Sequence, residues 1–187
     1  MRSPYNFIVR PVGGKRYINE KKIQDVTFVV NTSEENHKAS NRMAEVIEVP
    51  IGYKGDVKKG DILLVHHNVF KYYNDMYGRK KSGKSFLKDD LFLVDPDQFF
   101  MYKRKDEWRA YDRYCFVKPI EKKVKTIDTN DKEEPLMGRM IYPNKYLKSK
   151  GATEGVVVTY KPNCNYEFNV EGDRLYRLFD HQITMVL

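Results

Sequence analysis

The chain has 187 residues, 41% hydrophobic and 13% aromatic, which excludes a disordered polymer and allows one large domain or two of about 90 residues. Thirty-four basic against 26 acidic residues give a net charge of +8, a solvated surface biased towards anionic partners, and no run has the length of a membrane span. Two cysteines, Cys115 and Cys164, exclude a disulfide framework and Cys/His zinc spacing.

In chain order, short runs rich in Val, Ile, Phe and Tyr predict strands at residues 7–9, 27–30, 44–49, 62–65, 91–94 and 99–102. Further strands are predicted at 114–117, 139–142, 156–160, 166–170, 175–178 and 183–186. Gly, Pro, Asn and Asp punctuate them, as turn chemistry requires. A short helix is predicted at 33–42, with Thr32 or Ser33 as its cap. The fold class is all-β, made of small barrels or sandwiches. Met1-Arg2-Ser3-Pro4-Tyr5 lacks an apolar signal core, so reduced thiols in a cytoplasmic compartment are expected.

The chain reads as two copies. Phe7-Ile8-Val9-Arg10-Pro11 returns as Tyr114-Cys115-Phe116-Val117-Lys118-Pro119. Val46-Ile47-Glu48-Val49-Pro50 aligns with Arg139-Met140-Ile141-Tyr142-Pro143, and Gly60-Asp61-Ile62 with Gly155-Val156-Val157. Leu91-Phe92 and Gln98 align without gaps on Leu175-Tyr176 and Gln182. The separation of equivalent residues falls from 108 at Pro11 to 93 at Pro50, and from 95 at Gly60 to 84 at Gln98. Copy one therefore has 15 extra residues within 12–43 and 11 more in the basic stretch 72–85. The expected domains are 1–102 and 114–187, joined by a charged linker, 103–113, whose Trp108 packs against one of them. A feature shared by both copies is scaffold, and an unshared one is a candidate for function.

The order of these segments resembles the GroES-type co-chaperonin family of small β-barrels. The strongest match is Val57-Lys58-Lys59-Gly60-Asp61-Ile62-Leu63-Leu64-Val65, similar to that family's strand after the roof turn. Phe7–Pro11 resembles its first strand, residues 44–49 its strand after the mobile loop, and 89–99 its final hairpin. The resemblance covers residues 5–102 and, more weakly, 114–187. It implies two tandem GroES-like barrels that assemble into a ring or cap on a chaperonin and assist protein folding, with no cofactor. It also implies apolar anchors in the loops after each first strand: Phe28, Val29 and Val30 in loop 12–43, and Leu136 and Met137 after the polar segment 121–134. Gly13-Gly14 is present as in the family's mobile loop, but Lys15-Arg16 follow in place of an aliphatic segment. A virus-encoded member, working in the host cytoplasm, is a natural home for such divergence.

Other motifs bear on chemistry. Residues 78–85 satisfy the phosphate-loop pattern G-x-x-x-x-G-K-S, but five residues between Ser85 and Leu91 leave no room for the helix that the pattern requires. A basic hairpin tip is expected instead, with Arg79, Lys80, Lys81 and Lys84 as candidate polyanion contacts beside Tyr72, Tyr73 and Tyr77. His66-His67, as strand neighbours, are expected on opposite faces and so not on one metal. Asp89-Asp90 reads as a solvated turn, and no nucleophile–base set is legible, so no enzyme activity is expected. Two other readings stand beside the co-chaperonin. One is a structural or assembly protein, such as a virion component, built on the same barrel. The other is a polyanion binder working through 72–85, although nucleic acid is not the expected partner.

Overall fold

The computed structural model describes residues 1–17, 20–23, 26–29, 39–122 and 133–187, with only the backbone described between 20 and 29. Val30 and residues 33–38 of the helix predicted at 33–42 lie outside the described residues, and residues 39–42 are not helical. The chain divides into two compact units, Met1–Asp106 and Glu107–Leu187.

The first unit holds β1 (Phe7–Pro11), β2 (Glu20–Ile23), β3 (Val26–Val29), β4 (Met43–Glu48) and β5 (Ile62–Val65). Then come β6 (Tyr72–Asn74), β7 (Lys80–Ser82), β8 (Phe86–Lys88), β9 (Leu91–Val94) and β10 (Phe99–Arg104). The second holds β11 (Glu107–Ala110), β12 (Tyr114–Glu121), β13 (Glu133–Tyr142), helix α1 (Lys145–Ser149), β14 (Val157–Tyr160), β15 (Tyr166–Val170), β16 (Asp173–Phe179) and β17 (Ile183–Val186). The molecule is all-β with antiparallel pairing, as its composition predicts. The missed strands, β2, β6, β7, β8 and β11, are three or four residues long and polar or mixed, too short for a period-2 signal. Helix α1 was missed too; Asn144 caps it by accepting a hydrogen bond from the Leu147 amide at 2.8 Å. Residues 103–113, read as the linker, include strand residues. Lys103 and Arg104 end β10, β11 follows, and Trp108 is buried. Lys105 and Asp106 both have positive φ, 49° and 65°.

The two large sheets repeat one topology. Within each unit their orders are β10-β5-β4-β1-β9-β8 and β15-β16-β12-β13-β14-β17. Setting β12, β13, β14, β15, β16 and β17 against β1, β4, β5, β8, β9 and β10 makes the six-strand orders identical. The ladders agree residue by residue. Val9 pairs with Val46 and Val117 with Met140, each beside a register shift, between Ile8 and Val9 and between Phe116 and Val117. Phe7 pairs with Val94 and Cys115 with Leu178. Phe99 pairs with Val65 and Ile183 with Tyr160. The Gly60 amide donates to the Val46 carbonyl at 2.8 Å, and the Gly155 amide to that of Met140 at the same distance. Both glycines have φ of 86°, which an L side chain resists.

These ladders correct one alignment. They match Val46 with Met140 and Glu48 with Tyr142, a separation of 94 rather than the 93 suggested by the two prolines. Strand side chains alternate, so a one-residue slip would exchange core for solvent. Burial decides the register: Val46 and Met140 are both within 1% of full burial, whereas Arg139 is exposed.

Each unit has its own core. In the first, Phe7 meets Phe99 edge-on at 5.2 Å between ring centres, and Phe70 meets Phe92 at 4.8 Å. Phe99, Phe100, Met101 and Tyr102 are all buried in succession, so β10 is covered on both faces instead of alternating. In the second, Cys115, Val117, Met140, Val158, Tyr160, Tyr176 and Leu178 cluster with Leu147 of α1. Each fully buried Phe, Leu or Met side chain contributes about 1.5–3 kcal/mol before conformational entropy is charged against it. Among the described residues no helix is long and apolar enough to cross a membrane.

Candidate functional site

Both sheets release the chain at the same point, between the first strand and its antiparallel partner. In the first unit the excursion runs through residues 12–42 and includes the β2–β3 pair, in register from Glu20 opposite Val29 to Ile23 opposite Val26. Its neck is fastened by Asn41, which is 3% exposed. The Asn41 side-chain amide donates to the carbonyls of Val12 (3.0 Å) and Lys15 (2.8 Å), and its oxygen accepts from the Met43 amide (2.9 Å). The Asn41 backbone amide donates to the Arg16 carbonyl, Tyr17 bridges to Ser40, and the Ser40 hydroxyl donates to the His67 carbonyl. A buried amide with every hydrogen bond met holds such a neck firmly, because opening it leaves polar groups unpaired.

In the second unit the excursion lies between β12 and β13, where Glu121 pairs with Glu133. Its neck is held by charge. Glu133 accepts from Arg174 and from the Tyr176 hydroxyl (2.8 Å), and Arg174 also donates to Glu167 (3.0 Å). Burial first, then the Glu133 hydrogen bond, push the Tyr176 phenol up to about 12, so it remains a donor at neutral pH.

The expected anchors fall as follows. Phe28 and Val29 stand in β3, where only the backbone is described, and Val30 lies outside the described residues. Leu136 and Met137 belong to strand β13 and not to a loop tip. Met137 pairs with Thr159 of β14, and Leu136 has φ of 56° where the β12–β13 register shifts, the geometry of a bulge. That bulge turns Leu136 outward, 41% exposed.

The second locus is the basic hairpin of β6 and β7, in which Tyr72 faces Ser82, Tyr73 faces Lys81 and Asn74 faces Lys80. Its inner face is tied to the sheet by Arg16. The Arg16 guanidinium donates to the Ser82 hydroxyl at 2.8 Å and lies 4.2 Å from the Tyr72 ring centre, 4.7 Å from Phe92 and 4.9 Å from Phe86. The Tyr72 amide donates to the Tyr17 hydroxyl at 3.0 Å, and Lys80 Nζ sits 4.0 Å over the Tyr72 ring. At the tip, Asp75 Oδ1 accepts from the amides of Tyr77 and Arg79, both at 2.9 Å, so the one acidic side chain of the hairpin organises its turn. Arg79 stands at the base of that turn, with its guanidinium 5.6 Å from the Tyr77 ring centre. The phosphate-loop pattern at 78–85 is thus turn, strand β7 and turn, with no helix following.

His66 and His67 do not point apart. Their ring centres are 4.1 Å apart, because they follow β5 in a turn closed by the Val69 amide on the His66 carbonyl, and strand alternation ends with the strand. No group of three or more His, Cys, Asp or Glu suited to a metal occurs among the described residues. Burial pushes the Cys115 thiol up to about 12, and burial also raises that of Cys164, whose Sγ donates to the Lys161 carbonyl. Both remain thiols at neutral pH. Asp89 and Asp90 form the turn between β8 and β9, with Asp89 at φ of 52°.

The sequence gives no sign that Asn41, Arg16, Glu133 and Arg174 hold the necks; Arg16 stands out there only as a departure from the resemblance, and Glu133 only as one of an acidic pair. Comparing copies conceals them, because the two necks use different chemistry at the same topological point. No protein-family model matches this chain, and a search of curated proteins finds no relative.

Proposed function

We propose that this chain is a non-enzymatic, co-chaperonin-like protein: two small GroES-type barrels in tandem that assemble with further copies and engage a chaperonin ring through the loops after their first strands. The observation that carries this reading is the shared point of departure. Both copies release the chain between the first strand and its partner, and the longer excursion contains Phe28 and Val29. A loop fastened at its neck and carrying one short apolar run, residues 26–30, suits reversible docking, since the entropy lost on ordering offsets part of the contact energy.

The test is a native mass measurement with an ATP-loaded chaperonin ring, on the unchanged chain and on the double variant Phe28→Ser, Val29→Ser. The unchanged chain is expected to co-migrate with the ring and the variant to lose that association. A wild-type chain that ignores the ring removes the reading, and incorporation into a particle would favour an assembly role. A variant that binds undiminished removes these anchors.

A further inference from the structure

The outer face of the β6–β7 hairpin is built differently from the other charged surfaces of the first unit. Residues 71–84 hold Lys71, Arg79, Lys80, Lys81 and Lys84 against one acid, Asp75, whose carboxylate is committed to the turn. Elsewhere in this unit several cations have carboxylate partners, among them Arg10 with Glu45 at 2.9 Å, Lys59 with Glu48 at 2.7 Å and Arg104 with Asp61 at 2.6 Å. The groove of about 500 Å³ beside Gly60 has five cations, but Lys59, Lys103 and Arg104 are paired, so its charge is largely answered within the fold. Among the described residues no carboxylate pairs with Lys71, Lys81 or Lys84.

Aromatic rings stand among these free cations. Tyr73 is directly opposite Lys81, so the two side chains rise from the same face, and Lys71, the residue before β6, lines a groove together with Tyr73. Tyr73 is 53% exposed and Tyr77 77% exposed. Lys71, Tyr73 and Lys84 line a groove of about 760 Å³. The inner face, by contrast, is occupied by Arg16 and Tyr17, which hold the hairpin so that this outer face is presented. An open ring set among unpaired cations is the arrangement that tracks a charged backbone and stacks its bases.

We propose that this face binds single-stranded nucleic acid, with phosphates on Lys71, Lys81 and Lys84 and a base stacked on Tyr73. An acidic polypeptide would answer the charge but leave the exposed ring without a flat partner. A duplex would answer the phosphates while keeping its bases stacked on each other.

The experiment is fluorescence anisotropy with a fluorescein-labelled oligo-dT 20-mer and the full chain, from 50 to 300 mM KCl. The logarithm of the binding constant is expected to fall with the logarithm of salt at a slope of about −2, three phosphates at about −0.7 each. Lys81→Ala with Lys84→Ala should bring that slope to about −0.7, whereas Lys81→Arg with Lys84→Arg should bind like the unchanged chain. Tyr73→Ala should weaken binding about 5- to 150-fold, the factor by which one stacked base favours the complex. Lys59→Ala, whose lysine is paired to Glu48, should have no effect, and thermal melts should match throughout. Absence of binding at 50 mM KCl overturns the proposal. So does a duplex binding as tightly as the single strand, poly-glutamate displacing the oligonucleotide at equal charge concentration, or Tyr73→Ala binding undiminished.

Discussion

Asp180 illustrates how a single carboxylate holds a turn of the second unit. It is 7% exposed and receives the Arg113 guanidinium at 2.9 Å and the Asn144 amide at 3.2 Å, while Asn144 also caps α1. Burial is the largest influence on its carboxyl and pushes it up. Hydrogen bonds from Arg113, Asn144 and the His181 backbone, with the Arg113 charge, outweigh that, and the net shift is below the ordinary carboxylate value. A carboxyl depressed by folding adds stability that is complete above its unfolded value, near 3.8, and is lost as pH falls through the lower folded value. Asp180→Asn is therefore expected to cost about 1–2 kcal/mol at pH 7, and the gap from wild type should close below about pH 4. Urea unfolding of both chains at pH 7, 4 and 3 measures it, and a gap that widens in acid contradicts the account. The residue equivalent to Asp180 in the first unit is Pro96; there Asp61 and Arg104 form a two-pronged pair instead, and the residue equivalent to Asp61 is Val156.

At the scale of elements, the close approach of β12 and β13 depends on Gly138. It pairs with Pro119, and a Cβ there would lie 3.0 Å from the Val117 side chain and 3.1 Å from the Lys118 carbonyl oxygen. The second contact is backbone, so the strands must separate to admit a methyl group. Gly138→Ala is expected to lose about 1–3 kcal/mol in chemical denaturation, with hydrogen exchange accelerated in β12 and β13 first. A neutral substitution would mean that the ladder relaxes there at no cost. Strands of this kind were legible from sequence where they are apolar: Ile62–Val65, Leu91–Val94, Tyr166–Val170 and Ile183–Val186 match their predicted limits. Polar hairpins such as β6–β7 were not, because their strands are too short for a periodic signal and are held by Arg16, distant in sequence, packed beneath Tyr72.

For the molecule as a whole, the repeated topology predicts two cooperative units with separate cores. Met140→Ala should cost about 2–5 kcal/mol and strip hydrogen-exchange protection from β12, β13, β14 and β16. The strands β1, β4 and β5 should remain protected. Leu63→Ala should do the reverse, and loss of protection in both units from either change would merge them into one. The sequence alone determined that the chain is all-β, that its β-forming runs recur as two copies, and where copy one carries extra residues, because β-branched and aromatic runs punctuated by turn residues are local signals. The tertiary structure decided the register, moving the equivalence of Val46 from Arg139 to Met140, since burial alone distinguishes two alignments one residue apart. It also decided which cations are free. Lys59 and Arg104 meet carboxylates brought from other strands, while Lys71, Lys81 and Lys84 meet none among the described residues. Charge composition reads the same for both groups, and only the folded chain sets one against its partners and the other against solvent.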